Sequence, residues 1–468
     1  MKPYYFLPLL ALSLFSCQDG REAVEQPLKP RLVVMTDIGP AEVEPDDNES
    51  AVRLMAYADR YEIEALITTV GWNCDPYPSE WAKYLTAVVD AYEQDVPNLM
   101  RRSLQTDFLP LSDEEQQRLG YWPSADYLRS RVLMGSQRAG IGVIGPDNDT
   151  DGSRRIIELV DEEDSRPIYF CAWGSANTLA QAIWRVQQER TPEQLRAFLQ
   201  KCRLYTITDQ DMCYQMRMDR AYSAHQWLRR EFSEELMLVW DESAWLNQNA
   251  LGKESWSHYT ALIQNHGHLG QVYPDFLWGV EGDTPSFLNC MPNGLNDPDD
   301  PTQVGWGGVH QFGLSPDSLT MAWTNWQKPL HEVSDGYERH FYPDEFYDFA
   351  ARMQWAAEGR GTTNPVVIIN GDRAPIAPIQ ITAHVGETVT LDASASYDPE
   401  GEKLYFTWWQ QLGVDDVPAL TFSAFDEPRT QFTVPAEAQG HLLHVVCEVH
   451  DDSPYHLVSY RRCLIHVE

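Results

Sequence analysis

The sequence predicts an α/β protein: a mainly parallel sheet with helices on both faces, followed by a small C-terminal all-β sandwich. Three observations carry this. Short apolar, β-branched runs alternate with stretches whose apolar residues recur at helical spacing from Arg31 to Trp240, and such alternation builds βαβ units around a covered parallel sheet. Asp37, Asn73, Asn177 and Asp209 each lie just past an apolar run, where ligands bind beyond the carboxyl ends of parallel strands. Past Asn364-Pro365 the pattern changes to short alternating strands broken by turns, as in antiparallel sandwiches.

The elements follow in order. Arg31–Met35 reads as a buried parallel strand, being apolar on both faces. Ala51, Val52, Leu54, Met55 and Ala58 then mark a helix. A second strand, Glu62–Val70, leads into Gly71-Trp72-Asn73 and a helix around Ser79–Gln94. After a Pro- and Gly-punctuated region, Arg154–Asp161 is helical and Pro167–Trp173 is another buried strand. That strand passes through Gly174-Ser175-Ala176-Asn177 into a helix over Thr178–Gln188. Strand Arg203–Thr208, a helix near Arg220–Glu231 and strand Leu236–Trp240 complete the alternation. In the sandwich, Ile379–Ala383 is a strand, Asp398-Pro399-Glu400-Gly401 a turn, and Trp408 or Trp409 fills the core. The expected division is 31–363 for the α/β domain, 364–375 for a linker and 376–468 for the sandwich.

A chain of 468 residues exceeds one ordinary core. Its 70 acidic and 35 basic residues leave a formal charge of −35, a field that repels nucleic acid and anionic membrane faces and admits cations and neutral solutes. At the N-terminus Lys2 precedes an apolar run, Phe6 to Phe15, too short to span a bilayer. Leu14-Phe15-Ser16-Cys17 resembles a bacterial lipoprotein box, which implies a signal peptide over residues 1–17, a lipid on Cys17, a tether over 18–30, and an extracytoplasmic protein anchored to a membrane by lipid alone. The other seven cysteines are scattered without CxxC spacing, which gives no zinc site. Cys447 and Cys463 read either as a cross-strand disulfide or as buried thiols.

The chemistry gathers in VVMTDIGPAEVEPDDNES, Val33 to Ser50. Asp37, Glu42, Glu44, Asp46 and Asp47 crowd five carboxylates into eleven residues where an apolar strand ends. Asp46, Asp47 and Asn48 precede a helix and would serve as caps. Asp37 sits on the strand side, where capping does not reach. The other reading is a calcium ion, which takes six to eight oxygens from carboxylates, carbonyls and water. Gly174–Asn177 and Glu281-Gly282-Asp283-Thr284-Pro285 offer further oxygens from elsewhere in the chain. Both readings stand at this point.

Val33–Gly39, with Asp46-Asp47 opening the next helix, resembles the aspartate signature of nucleoside hydrolases. Trp173–Leu179 is similar to their glycine-rich turn, and Glu281-Gly282-Asp283 to their late aspartate. EPDD (44–47), AWGSANTLAQA (172–182), TDQD (208–211), GDTPSFL (282–288) and PNGL (292–295) resemble a bacterial family described as cellulose-binding, nucleoside hydrolase-like, with a C-terminal cadherin-like domain. The resemblance implies that Asp37, Asp47, the Ala176 carbonyl and Asp283 ligate Ca2+. It also implies that Asp37 acts as general base and that Asp46 accepts a hydrogen bond from a sugar hydroxyl. Asp46, Asn73, Trp173, Asn177, Asp209, Asp211, Glu281 and His266 are the candidate substrate-binding residues; His266 and His268 are the nearest things to a general acid. Two departures stand out. The interval from Asp37 to the pair is nine residues, longer than in nucleoside hydrolases, and the inserted Pro40–Pro45 segment adds two glutamates. The expected function is calcium-dependent hydrolysis of glycosyl bonds in a nucleoside or other sugar; the alternative is a non-catalytic polysaccharide-binding lipoprotein on the same scaffold.

Overall fold

The computed structural model describes residues 26–111, 113–211 and 222–468. The signal peptide, Cys17, most of the tether and the MCYQMRMD segment at 212–219 lie outside these. The strands of the first domain are β1 (Arg31–Thr36), β2 (Glu62–Thr68), β3 (Val132–Met134), β4 (Ile168–Ala172), β5 (Cys202–Ile207), β6 (Met237–Asp241), β7 (Gln311–Leu314) and β8 (Met321–Thr324). The helices between β1 and β4 are α1 (Pro45–Ala56), α2 (Ala82–Arg102), α3 (Ala125–Ser130) and α4 (Asp151–Asp161). Between β4 and β6 come α5 (Asn177–Glu189), α6 (Pro192–Gln200) and α7 (Ala224–Phe232). Beyond β6 lie α8 (Ala244–Glu254), α9 (Trp256–Leu262), α10 (Gly267–Gln271), α11 (Thr284–Leu288) and the long α12 (Leu330–Glu358).

The sheet order is β3-β2-β1-β4-β5-β6-β8-β7. All neighbours are parallel except the edge hairpin β7–β8. Strand β1 shows why helices cover both faces: Leu32 and Val34 enter one apolar cluster with α1, α2 and α12, while Val33 and Met35 enter another with α4, α5 and α7. The chain leaves β1 towards β2 and β3 and returns to lay β4 on its other side. This reversal of strand order opens a crevice at the carboxyl end of β1, the usual ligand position in such sheets.

The C-terminal sandwich pairs a two-stranded sheet, β10 (Thr388–Asp392) with β12 (Arg429–Thr433), against a four-stranded one of order β11 (Tyr405–Gln410), β13 (Leu442–His450), β14 (Val458–Val467) and β9 (Ile379–Ala383). Trp408, rather than Trp409, fills the core between them, with its indole N–H donating to the Glu427 carbonyl. Trp409 faces the other way and packs on Tyr337 and Phe341 of α12. Val446, Val458 and Tyr460 join the same apolar cluster as Phe341 and Phe349, so the two domains share a core. The segment expected as a linker is packed as well: Val367 and Ile369 lie in the sandwich core and Val366 bridges Tyr397. The six described cysteines, Cys447 and Cys463 included, are buried free thiols.

Candidate metal centre and active site

Strand β1 delivers Asp37 to the crevice, and glycines make room for it. A Cβ on Gly71 would lie 2.0 Å from Asp37 Oδ2, and one on Gly174 2.9 Å from Oδ1. Only bare backbone from the ends of β2 and β4 can approach this closely. Helix α1 supplies the rest. Pro45 occupies its first turn, and its N-cap residue Glu44 makes no side-chain capping bond. Asp47 accepts a short hydrogen bond from Thr36 Oγ1 on β1. Asn48 Nδ2 ties the inserted loop down by donating to the Gly39 and Glu44 carbonyls at 2.9 and 2.8 Å. Capping therefore does not account for Glu44 and Asp47.

One oxygen each from Glu44, Asp46 and Asp47 lies within 4.8 Å of the others. Asp37 and Asp283 border this triple: the charges of Asp47, Asp46, Asp37 and Glu44 all act on Asp283. Burial is the largest cause of raised carboxyl pKa values here, followed by the mutual repulsion of the acids. Asp37 is pushed up to about 7 by burial and by Asp46, against the pull of a hydrogen bond with Glu44. Glu44 is pushed up to about 12 by burial and by Asp37, Asp46 and Asp47, although Asn73 hydrogen-bonds to it. Asp47, Glu49 and Asp283 are displaced well above the usual carboxylate range in the same way.

Five buried carboxylate oxygens here have no hydrogen-bond partner among the described residues: Asp37 Oδ2, Glu44 Oε1, Asp46 Oδ1, Glu49 Oε1 and Asp283 Oδ2. Arg53, one helical turn beyond Glu49, is committed to Glu281 at 2.6 Å and to the Glu345 carbonyl at 2.7 Å. Buried charges are ordinarily paired or bound to metal. An oxygen-only, carboxylate-rich set suits a hard divalent cation, calcium above zinc.

The remaining sequence candidates fall elsewhere. Asn73 lies beside Glu44, within the pocket. The Ala176 carbonyl accepts the first hydrogen bond of α5, from Ala180 N–H at 3.0 Å. Trp173 is 1% exposed, its indole N–H donates to Ser286 Oγ at 2.7 Å and its ring packs on Phe287. It is a core residue, not a sugar platform. Asn177 is fully buried and grips the Gly140 backbone through both side-chain atoms. Asp209 accepts from Ser223, and Asp211 from Ser175 and the His225 N–H. That saturated pair braces the Gly174–Asn177 turn. Glu281 is spent on Arg53, Tyr273 at 2.9 Å and Gln248 at 3.2 Å. His266 lies near Glu358 at the end of α12, whose pKa it helps to lower, and the neighbouring His268 pairs with Asp95 of α2. Contacts from Arg53 to Glu345, Tyr57 to Asp348 and Ala56 to Arg352 show α1 and α12 running together. Glu358 and His266 thus lie past the far end of α1, away from the carboxylates.

Four residues of the site escaped sequence reasoning as site members. Glu44 and Glu49 join the carboxylates from α1 and its N-cap. Trp72 and Trp278 are exposed indoles, at 36% and 62%, on the loops that form the rim: Trp72 adjoins Asn73, and Trp278 Nε1 donates to the Val43 carbonyl of the inserted loop. The only signal for Trp72 was its place beside a strand-end asparagine. A cavity of about 450 Å³ lies between the domains beside Arg352, Asn364 and Tyr460. Arg352 there is paired with Asp59 and Asp348, so this cavity offers no free charge from that residue.

Fold and pocket define a nucleoside hydrolase-like scaffold with a carboxylate cluster at the sheet's switch point. The chain belongs to the family described as "Cellulose-binding Sde182, nucleoside hydrolase-like domain", which matches residues 31–310, and residues 388–467 match "Cellulose-binding protein Sde0182, C-terminal domain". Among solved structures, a nucleoside hydrolase-related hypothetical protein from Saccharophagus degradans, described as associated with carbohydrate metabolism, is 31% identical, with a TM-score of 0.78 over 94% of this chain and 100% of that one. The type III effector XopQ, complexed with adenosine diphosphate ribose, is 10% identical over 72% of this chain and 95% of that one, with a TM-score of 0.31. No curated protein matches.

Proposed function

We propose that the pocket holds a calcium ion and that the protein hydrolyses glycosyl bonds outside the cytoplasm. The observation that carries this reading is the set of five buried, unpartnered carboxylate oxygens around Asp37. Glu44, Asp46, Asp47 and Asp283 are the side chains suited to hold the ion, with Asp37 beside them. When bound, such an ion would polarise a water molecule and grip vicinal sugar hydroxyls.

The chain's own residues do the remaining work. Asp37, raised to about 7, is a competent proton acceptor near neutral pH and takes the proton of the attacking water on Oδ2. Asp46, partly open to the crevice, accepts a hydrogen bond from a sugar hydroxyl. The surrounding carboxylates stabilise positive charge as it develops at the anomeric carbon while its bond to the aglycone breaks, the aglycone leaving with the bonding pair and taking a proton from solvent. Gly71 and Gly174 keep Asp37 in place by leaving no room for it to shift. The test is turnover of nitrophenyl riboside, a nucleoside panel and cello-oligosaccharides in calcium and in chelator. Calcium-dependent release lost in Asp37→Asn is expected; no turnover of any of these substrates overturns the catalytic reading.

A second reading, a polysaccharide-binding protein without catalysis, is favoured by Trp72 and Trp278 at the rim and by the family's description as cellulose-binding. Exposed indoles flanking an acidic crevice suit the faces of pyranose rings. Retention on insoluble cellulose, lost in a Trp72→Ala/Trp278→Ala protein that melts normally, supports it. Equal retention of parent and variant removes this rim from the binding surface.

A further inference from the structure

The sandwich carries a second acidic cluster that plays no part in the pocket. Asp398 opens the turn between β10 and β11, Glu402 closes it, and Asp451 directly follows β13. One carboxylate oxygen from each lies within 4.8 Å of the others. Asp398 is 7% exposed and Asp451 fully buried. Local turns account for half of each aspartate: Asp398 Oδ1 accepts from the N–H groups of Glu400 and Glu402 at 2.8 and 3.0 Å, and Asp451 Oδ1 from Ser453 and Leu457 at 3.0 and 2.9 Å. The turns leave the other half empty. Asp398 Oδ2 and Asp451 Oδ2 are both buried without a partner among the described residues, and the Asp398 charge acts on Asp451.

The basic groups of this end of the sandwich are engaged elsewhere. Arg102 pairs with Glu400 at 2.6 Å. The Lys403 ammonium sits over the Tyr405 ring, 4.3 Å from its centroid. His456 Nδ1 approaches the Asp451 backbone carbonyl, not its carboxylate. Two buried half-satisfied aspartates beside a third carboxylate form an anionic hole, and the donors are oxygens alone, the preference of calcium over zinc.

We propose that Asp398, Glu402 and Asp451 form a calcium site in the C-terminal domain, separate from the pocket on β1. Its place gives it a role. Glu402 accepts from Thr362 Oγ1 at 2.9 Å, and Glu400 from Thr363 N–H and Oγ1 at 3.1 and 2.8 Å. These residues belong to the segment running from α12 into the sandwich. An ion there ties that crossing to the ends of β11 and β13 and holds the sandwich against the α/β domain.

The test uses the full chain, chelator-stripped, with Asp46→Asn, Asp47→Asn and Asp283→Asn introduced to disable the first pocket. Titration with Ca2+ by calorimetry is expected to show one remaining site of about 10⁻⁵–10⁻³ M, from the weak limit of sensor sites to extracellular calcium modules. Asp451→Asn should weaken it at least tenfold. Glu402→Gln, at a partly exposed residue that a folding defect spares, should weaken it severalfold. Calcium should also slow proteolysis across residues 359–365 in the pocket-disabled chain and not in its Asp451→Asn derivative. Absence of calcium binding in the pocket-disabled chain, undiminished binding in both cluster variants, or equal affinity for Mg2+ overturns the proposal.

Discussion

Replacing Asp37 by asparagine should stabilise the metal-free protein. Burial and Asp46 raise the Asp37 pKa from an ordinary 3.8 to about 7. The folded chain therefore binds a proton at this site that the unfolded chain has released between about pH 4 and 7. Stability from this group is intact below pH 4, falls as pH rises through that window, and stays lost above it. Three pH units at about 1.4 kcal/mol each give a cost of about 4 kcal/mol at pH 8. An asparagine of the same shape carries no such charge and also relieves Asp46, Glu44 and Asp283. With about 2 cal/mol/K of unfolding entropy per residue, a chain of this size gains roughly 4–5 °C from 4 kcal/mol.

The assay is thermal unfolding followed by circular dichroism, with chelator, at pH 4 and pH 8. Parent and variant should melt together at pH 4, and the variant should melt several degrees higher at pH 8. Calcium at a hundred times its dissociation constant should then raise the parent by about 2.7 kcal/mol and the variant by far less. A variant that melts below the parent at pH 8 in chelator would refute the reasoning, because it would show that the Asp37 charge is satisfied by the fold itself.

Three further outcomes follow from other parts of the molecule. Arg53→Met should cost about 3–5 kcal/mol in denaturant unfolding, since it strands the fully buried Glu281. Trp278→Ala should weaken cello-oligosaccharide binding roughly tenfold, about the worth of one aromatic contact, with the melting temperature unmoved because the ring is exposed. The domain interface should loosen in alkali. The hydrogen bond and charge of Glu448 raise the His340 pKa; at His450, burial lowers it but Asp344 more than offsets this. Both pairs therefore hold fully below about pH 6.5 and fade as pH climbs through the raised values. His340 is half exposed, so screening keeps its share well under about 1 kcal/mol, and the two together should appear as a melting shift of roughly 1–2 °C between pH 6 and 9 that a His340→Gln/His450→Gln protein lacks.

Much of the fold was legible because buried parallel strands read as plain apolar runs: β1, β4, β5 and β6 lie within a residue or two of their expected bounds, and β9 coincides with them. The long helix α12 was not legible. It buries residues on several sides, against α1, α2 and the sandwich, so its apolar positions show no single stripe. The hairpin β7–β8 sits at the sheet edge with an exposed outer strand, which removes the apolar run that marks the inner strands. In the site, Asp37 stood out by following an apolar strand, Asp46 and Asp47 by preceding a helix, and Asp283 by lying between a glycine and a proline. Glu44 was visible among the crowded carboxylates but had no assigned role, because it lies in an inserted segment with no periodicity to orient it. Trp173 and Glu281 show the opposite error. A tryptophan at a strand end reads alike whether it faces crevice or core, and Glu281 lies only two residues from Asp283. The backbone separates that pair: Glu281 takes φ of +56° and turns inward to Arg53, whereas Asp283 opens α11 facing the pocket.

The selectivity with which charges are left unpaired is the strongest argument for where the chemistry lies. The fold buries acids freely, yet nearly everywhere it provides a partner: Glu64 has Arg31, Glu281 has Arg53, Asp348 has Arg352, and Asp209 and Asp211 have serine hydroxyls and backbone N–H groups. A protein able to satisfy those groups faces no general shortage of cations or donors. Helix α1 makes the contrast within four turns, since its C-terminal half carries Arg53 in a buried ion pair with Glu281 and its N-terminal turn carries aspartates with none among the described residues. The positive end of the helix dipole offsets at most about half a charge there, far less than five carboxylates bring. Leaving the cluster around Asp37 uncompensated raises the energy of the empty fold, and the cost is recovered when something positive enters, which is why the Asp37→Asn melt distinguishes a binding site from a merely acidic surface.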